Sequence, residues 1–235
     1  MIALLDADFL LYRVGFASEE DDEGLAVRRL VDYFTDIVFF DANCDSYVAY
    51  ISGANNFRYD IATTVPYKGN RKAPKPKHYQ ALRERLKKLG CIESEGEEAD
   101  DRIAIEAYSR DVDSYTIIKV DKDLDQIRGT HYNPITKVFK SITEDDALKN
   151  FYLQLLQGDR TDNIPGLEGI GPKKALKALE GCVTEAELYS KALEVYSEHN
   201  KSLDYLIEQA RLLWLRREPG QMWNPPTESK TNEDT

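Results

Sequence analysis

Carboxylates gather at four places in this 235-residue sequence: Asp6 with Asp8, Glu98 with Asp100 and Asp101, Asp121 with Asp123, and Asp159 with Asp162. No His or Cys lies within these clusters, so the set offers hard oxygen ligands, which suit Mg²⁺ or Mn²⁺ better than zinc. Two such ions ~3.5–4 Å apart would serve in-line hydrolysis of a phosphodiester bond. Taken singly, the acids have ordinary readings. Asp100 and Asp101 fit a helix start, where they meet the helix dipole. Asp121 with Asp123, and Asp159 with Asp162, fit polar turns. Convergence selects the metal reading, because carboxylates brought together without cations repel one another and lose hydration, and divalent metal offsets both.

A second group of residues suits a phosphate backbone. From Tyr67 to Lys88 the chain carries nine Lys or Arg against Glu84 alone, whereas Glu93 to Asp101 holds six carboxylates and Glu19 to Glu23 is again acidic. The formal net charge is −11, which by itself argues against a polyanionic partner, but the segregation of charge leaves a basic strip beside an acidic nest. Pro165 to Ala175 reads PGLEGIGPKKA, a helix-hairpin-helix signature. Gly169, Ile170 and Gly171 would bring backbone N–H groups close to phosphate oxygens, and Lys173 and Lys174 would add charge without reading bases. No Gly-Lys-Ser/Thr follows at Walker spacing.

These residues need elements to hold them. Apolar runs at Ile2–Leu5, Tyr47–Ile51 and Tyr115–Val120 predict strands, with Asp6 and Asp121 just past two of their ends. Helical spacing predicts helices over about 25–40, 79–89 and 99–108 between them. Strands alternating with helices imply parallel crossovers, and right-handed crossovers put the strand ends on one edge, where open sheets bind ligands. The predicted fold is α/β, a mainly parallel central sheet flanked by helices. After Thr143 the pattern turns helical, over about 145–157, 173–179, 184–196 and 202–215. The expected domains are a core at 1–142 with a basic segment at about 60–89, a helical subdomain at 143–222, and a disordered tail at 223–235. Hydrophobic residues make up 42% and charged residues 31%, with no run long enough to span a bilayer. The chain starts on a strand-like run without a basic leader, so export is not expected and an intracellular setting is. Cys44, Cys91 and Cys182 lack paired spacing and are expected to be reduced.

In order, LLDADFLLYR (4–13), YKGNR (67–71), EADD (98–101), VDKDLDQI (120–127) and GDRTDNIPGLEGIGPKKA (158–175) resemble the 5′-nuclease family. That family includes the 5′-nuclease domain of bacterial DNA polymerase I, flap endonucleases and bacteriophage 5′–3′ exonucleases. The five blocks cover about residues 1 to 180, and the small size looks most like a phage or free-standing bacterial member. The resemblance implies a PIN-like core and a Mg²⁺-dependent (or Mn²⁺-dependent) 5′–3′ exonuclease and 5′ flap endonuclease, with two metal ions. By this resemblance Asp6, Glu98, Asp100, Asp101, Asp121, Asp123, Asp159 and Asp162 match the metal-binding carboxylates. Arg13, Tyr67, Lys68 and Arg71 match positions near the scissile phosphate, with Lys68 and Arg71 on or near the family's helical arch. A K⁺ ion bound through backbone carbonyls of the hairpin would involve Leu156, Gln157, Pro165, Leu167 and Ile170. The implied partner is DNA with 5′ ends or flaps, with RNA–DNA hybrid and replication proteins as further candidates. A monomer is expected, working in the cytoplasm, that of the bacterial host if the chain is phage-encoded.

One departure stands out. The family's second strand ends in an aspartate five to seven residues before an arginine, but here Ile51, Ser52 and Gly53 precede Arg58 and the acid is missing. Asp60, two residues past Arg58, is a candidate substitute. Asp8 stands where a small polar residue is usual, with orienting Asp6 as its expected role. Two other readings therefore stay open: an RNA-cutting nuclease of the ribonuclease H or PIN type, and a non-catalytic DNA-junction binder.

Overall fold

The computed structural model describes residues 1–226. Its sheet has six strands, β1 (Ile2–Asp6), β2 (Ser46–Ile51), β3 (Ile92–Glu93), β4 (Tyr115–Ile118), β5 (Gly129–Asn133) and β6 (Val138–Ile142), in the order β3-β2-β1-β4-β5-β6. Every pairing is parallel except β5 with β6, a hairpin. The helices are α1 (Asp8–Ala17), α2 (Glu23–Thr35), α3 (Arg58–Ile61), α4 (Tyr79–Lys88), α5 (Ala99–Tyr108), α6 (Glu144–Gln157), α7 (Pro172–Ala178), α8 (Glu185–Glu198) and α9 (Leu203–Leu213).

Strand side chains alternate between faces, and the central strands are buried on both. Ala3, Leu5, Ala49, Ile51 and Ile118 join one core with Leu10 and Leu11 of α1, Leu30 and Phe34 of α2, and Leu82 and Leu86 of α4. Leu4, Tyr50 and Ile117 join the other with Ala99, Ile103, Ala104 and Ala107 of α5. Continuous apolar runs rather than alternation are what a sheet covered on both faces requires, which is why β1, β2 and β4 were legible. The single helix expected over 25–40 is α2 continued by a π-helical turn at Asp36–Asp41.

Two compact units divide the chain. The first comprises residues 1–60, 72–147 and 215–221, and includes the sheet. The second comprises 61–71, 148–214 and 222–226 of the described residues, and is helical. The boundary thus differs from the one expected at 142/143: residues 61–71, from the basic segment, belong with the helices, and 215–221 belong with the sheet. The second unit has its own core of Phe151, Tyr152, Leu155, Tyr196, Leu206 and Trp214, joined by Trp223. Trp223, placed by sequence in the tail, is buried; the tail from 227 lies outside the described residues.

Candidate active site

In the sheet unit the acids sit where strands and one helix end. Asp6 closes β1 and is buried, and its Oδ1 accepts the Asp8 N–H at 3.0 Å. Asp121 follows the neighbouring strand β4 and its Oδ1 accepts the Asp123 N–H at 3.0 Å. Glu98 is the N-cap of α5, and Asp100 lies in the helix's first turn. These groups feel one another. Burial, then the charges of Asp8, Asp121 and Glu98, push the Asp6 carboxyl up to about 8, against a single opposing hydrogen bond from the Asp8 backbone. Asp100 is raised well above the carboxylate range, by burial first and then by Asp6, Asp121, Glu98 and Asp123.

Asp101 behaves differently. It is fully buried and its oxygens are taken by the guanidinium of Arg58, at 2.6 and 2.9 Å, and by the backbone N–H groups of Glu98 and Arg216, each at 3.1 Å. Burial works to raise this carboxyl, but the Arg58 charge and hydrogen bonds outweigh it and leave it below its ordinary value. Asp101 therefore serves as the counter-ion of a buried arginine and the reciprocal member of the α5 capping box, not as a carboxylate with lone pairs turned toward an ion. Sequence could not tell it from Asp100, since helix neighbours differ by ~100° in direction.

Counter-ions sort the remaining acids. Asp125, which sequence did not single out, pairs with Lys119 and Lys140. Among the described residues, Asp6, Asp8, Asp100 and Asp121 have no ion-paired Lys or Arg. Carboxylates held together without cations are unstable as charges, and a hard divalent ion is the group their all-oxygen chemistry fits. Among the described residues no group of three or more His, Cys, Asp or Glu side chains is placed so that it could hold one metal ion. The edge is acidic but not closed onto a single point. Arg13, on the exposed side of α1, lies over the Tyr33 ring at 5.7 Å.

In the helical unit, Asp159 and Asp162 occupy the turn after α6. Asp159 is buried, its Oδ1 accepts the N–H groups of Thr161 (2.6 Å) and Asp162 (3.3 Å), and its backbone bridges to Ile164. Asp162 gathers the basic residues predicted to meet the scissile phosphate. The Tyr67 hydroxyl donates to its Oδ2 at 2.5 Å, Arg71 donates to its Oδ1 at 2.6 Å, and Lys68 Nζ lies 3.6 Å away. Burial raises this carboxyl, yet Lys68, the Tyr67 hydrogen bond and Arg71 together hold it below its ordinary value. Lys68 adopts φ +54°, uncommon for a side-chain-bearing residue, with its N–H on the Asp162 carbonyl at 2.9 Å.

The hairpin between α6 and α7 closes by backbone contact. Gly158 (φ +72°) and Gly166 (φ +60°) face each other so tightly that a Cβ on Gly166 would fall 2.2 Å from the Gly158 nitrogen. Only glycine fits both positions. Of the carbonyls implied as K⁺ ligands, that of Leu156 accepts the Leu167 N–H (3.0 Å) and that of Leu167 accepts the Ile170 N–H (3.2 Å). Gly169 has φ +74°, and Gly171, Lys173 and Lys174 are exposed at the start of α7. A cavity of about 680 Å³ opens here, lined by Asn70, Gln157, Arg160 and the Pro165–Gly171 turn.

No protein-family model matches the chain. It is 34% identical over 178 residues, 68% of its length, to DNA polymerase I of Rhizobium leguminosarum, of which it spans 17%. It is 28% identical over 218 residues, 83% of its length, to a 5′-3′ exonuclease of Buchnera aphidicola subsp. Schizaphis graminum, of which it spans 75%. Its relatives are thus 5′-3′ exonucleases and DNA polymerase I, the family that its motifs resemble. The family fold is borne out by a solved structure of T5 5′-exonuclease with divalent zinc ions bound, similar at TM-score 0.65 and 18% identity over 90% of this chain and 88% of that one. The chain spans about a sixth to a quarter of the length of these DNA polymerase I relatives. In this chain the expected mainly parallel sheet with flanking helices is present, and no helix among the described residues is long and apolar enough to cross a membrane.

Proposed function

We propose that this chain is a divalent-metal-dependent nuclease that removes nucleotides from DNA 5′ ends and cleaves 5′ flaps, with Mg²⁺ or Mn²⁺ as the metal. The observation that carries this reading is the set of carboxylates without counter-ions, Asp6, Asp100 and Asp121, at the carboxyl edge of a parallel sheet. Those three, with Glu98 and Asp123, would hold the ions. Bound there, divalent ions lower the pKa of water and steady charge on the phosphate and the leaving oxygen.

The chain's own groups set the stage. Asp6 must lose its proton to hold a cation, so the edge is primed only when its raised carboxyl ionises. Lys68 and Arg71, now neutralised by Asp162, are the cations that would face phosphoryl oxygens, with the Tyr67 hydroxyl as a further donor. The hairpin's exposed N–H groups with Lys173 and Lys174 would grip duplex backbone without reading sequence. A K⁺ ion on the Leu156, Gln157, Pro165, Leu167 and Ile170 carbonyls belongs to the same reading.

End-labelled flap, blunt duplex and RNA–DNA hybrid, each incubated with the protein and Mg²⁺ or Mn²⁺, test this. Labelled mononucleotide or a flap-length product is expected from the DNA substrates, and Asp121→Asn should abolish it while sparing binding. Absence of product from every substrate with either metal refutes the proposal, and product from the hybrid alone moves the activity to RNA.

A further inference from the structure

β2 lies between β1 and β3 in the sheet, so its carboxyl end falls on the same edge as Asp6. Its own sequence there, Ile51-Ser52-Gly53, brings no acid. The structure shows what stands in that place. Asp8, the first residue of α1, turns across to the end of β2, where both of its oxygens accept the Ser52 N–H, at 3.1 and 3.0 Å. Asp60, the substitute expected from sequence order, is exposed in α3 instead.

Ser52 is fixed on its other sides too. Its carbonyl accepts from Arg83 at 2.7 Å, and its Oγ accepts the N–H of Ala99, between Glu98 and Asp100, at 3.1 Å. The Asp8 carboxylate is thus docked on an anchored backbone beside the acidic start of α5. The Ser52 side chain also hydrogen-bonds this carboxylate, and with the shared N–H it still leaves part of the four lone-pair sites unused. An acid in a helix's first turn ordinarily stays in water and meets the dipole. Asp8 is instead half-buried against a neighbouring strand; no Lys or Arg among the described residues lies within ion-pair distance of it, and the charge of Arg83, held on the Ser52 carbonyl, favours its ionised form against that burial.

We propose that Asp8 is the metal-holding carboxylate of the β2 end, supplied from α1 because the strand has none of its own. This rests on the metal-dependent nuclease reading. On it, Asp8 and Asp6 share an ion, and Ser52 is the positioning residue that aims Asp8.

Mn²⁺ binding to the whole chain without DNA, followed by titration calorimetry and by the electron paramagnetic resonance signal of unbound Mn²⁺, tests the proposal. Asp8→Asn keeps shape and hydrogen-bond acceptance but loses the charge, and should weaken Mn²⁺ binding at least tenfold with the melting temperature in EDTA unchanged or raised. Asp8→Ser should do the same, and Asp8→Ser with Ser52→Asp, which moves the carboxylate onto the strand, should return affinity to within threefold of the starting protein. Unchanged affinity in Asp8→Asn, or loss in Asp8→Ser that the relocated carboxylate does not repair, overturns the role given to Asp8 while leaving the nuclease reading standing. Failure of the unmodified chain to bind Mn²⁺ overturns both.

Discussion

If Asp101 is a structural counter-ion, separating it from Arg58 must damage the fold and leave metal binding alone. Arg58 is 2% exposed and Asp101 0%, with two hydrogen bonds between them. Removing one member of such a pair strands a buried charge, at about 3–5 kcal/mol. Against a typical total of ~5–15 kcal/mol, that is a large share. For a chain of this size it corresponds to a fall in melting temperature of roughly 6–20 °C, at ~2–4 °C per kcal/mol. Arg58→Met should show this fall. Asp101→Asn should show a similar fall, because the Glu98 and Arg216 N–H groups use different carboxylate oxygens and a single amide oxygen can keep only one of them. The double variant should be more stable than the sum of the singles predicts, by about 2–3 kcal/mol, since neither charge is left alone. Circular dichroism melts in EDTA measure all three, and Mn²⁺ titration of Asp101→Asn should give an affinity within threefold of the unmodified chain. Losses below ~1 kcal/mol in both singles, or a tenfold loss of Mn²⁺ affinity in Asp101→Asn, would refute the assignment.

Three further outcomes are expected. With Asp6 titrating at about 8 in the folded chain and near 4 when unfolded, the folded state keeps a proton the unfolded state has released, so metal-free stability should decline as pH rises. Melts in EDTA between pH 6.5 and 8, above the window where buried neutral His131 (pushed down to about 4, by burial first and then Lys119) affects stability, should show it, and Asp6→Asn should flatten the slope. A slope unchanged in Asp6→Asn would count against Asp6 as its source. Replacing Lys173 and Lys174 with Ala should weaken duplex binding on every sequence and shrink the log–log salt slope by about 1.8, at ~0.9 per phosphate contact; an unaltered slope removes the hairpin from the interface. Gly166→Ala should destabilise the chain by more than ~2 kcal/mol, because the added carbon meets the Gly158 backbone at 2.2 Å and φ is +60°, and a melt within 1 °C of the unmodified chain would contradict that packing.

How much was legible beforehand depended on what each residue's neighbours in sequence disclose. Helix α5 spans Ala99–Tyr108, the stretch its periodicity predicts, β4 falls within its apolar run, and β1 and β2 each extend one residue beyond theirs, to Asp6 and Ser46. β6 was not legible because four of its five residues are exposed, and β3 because it is two exposed residues joined through the backbone. The acids at the ends of β1 and β4 were legible from parallel topology alone. Asp101 was not, because its partner Arg58 lies 43 positions away. Nor was Asp8: the carboxylate that docks at β2 comes from a residue 44 positions earlier, and only the fold brings it to Ser52. The signal that separates these acids is the presence or absence of a cation beside each, which is a property of three-dimensional neighbours.

The return of residues 215–221 to the sheet unit bears on how the protein is made. Leu215 joins the sheet's core, Arg216 donates its N–H to Asp101 and pairs with Glu97 at 3.1 Å, and Arg217 pairs with Glu144 at 2.7 Å. The Arg216 donor is translated 115 residues after its acceptor. At ~5–20 residues per second a ribosome takes roughly 6–23 s to cover that interval. Throughout it the nascent chain carries Asp101 short of one donor and Glu97 short of a cation. Although most of the sheet unit is synthesised first, it is complete only once residues 215–221 have been made, so a polypeptide released before them carries all the acids of its edge on an unfinished support.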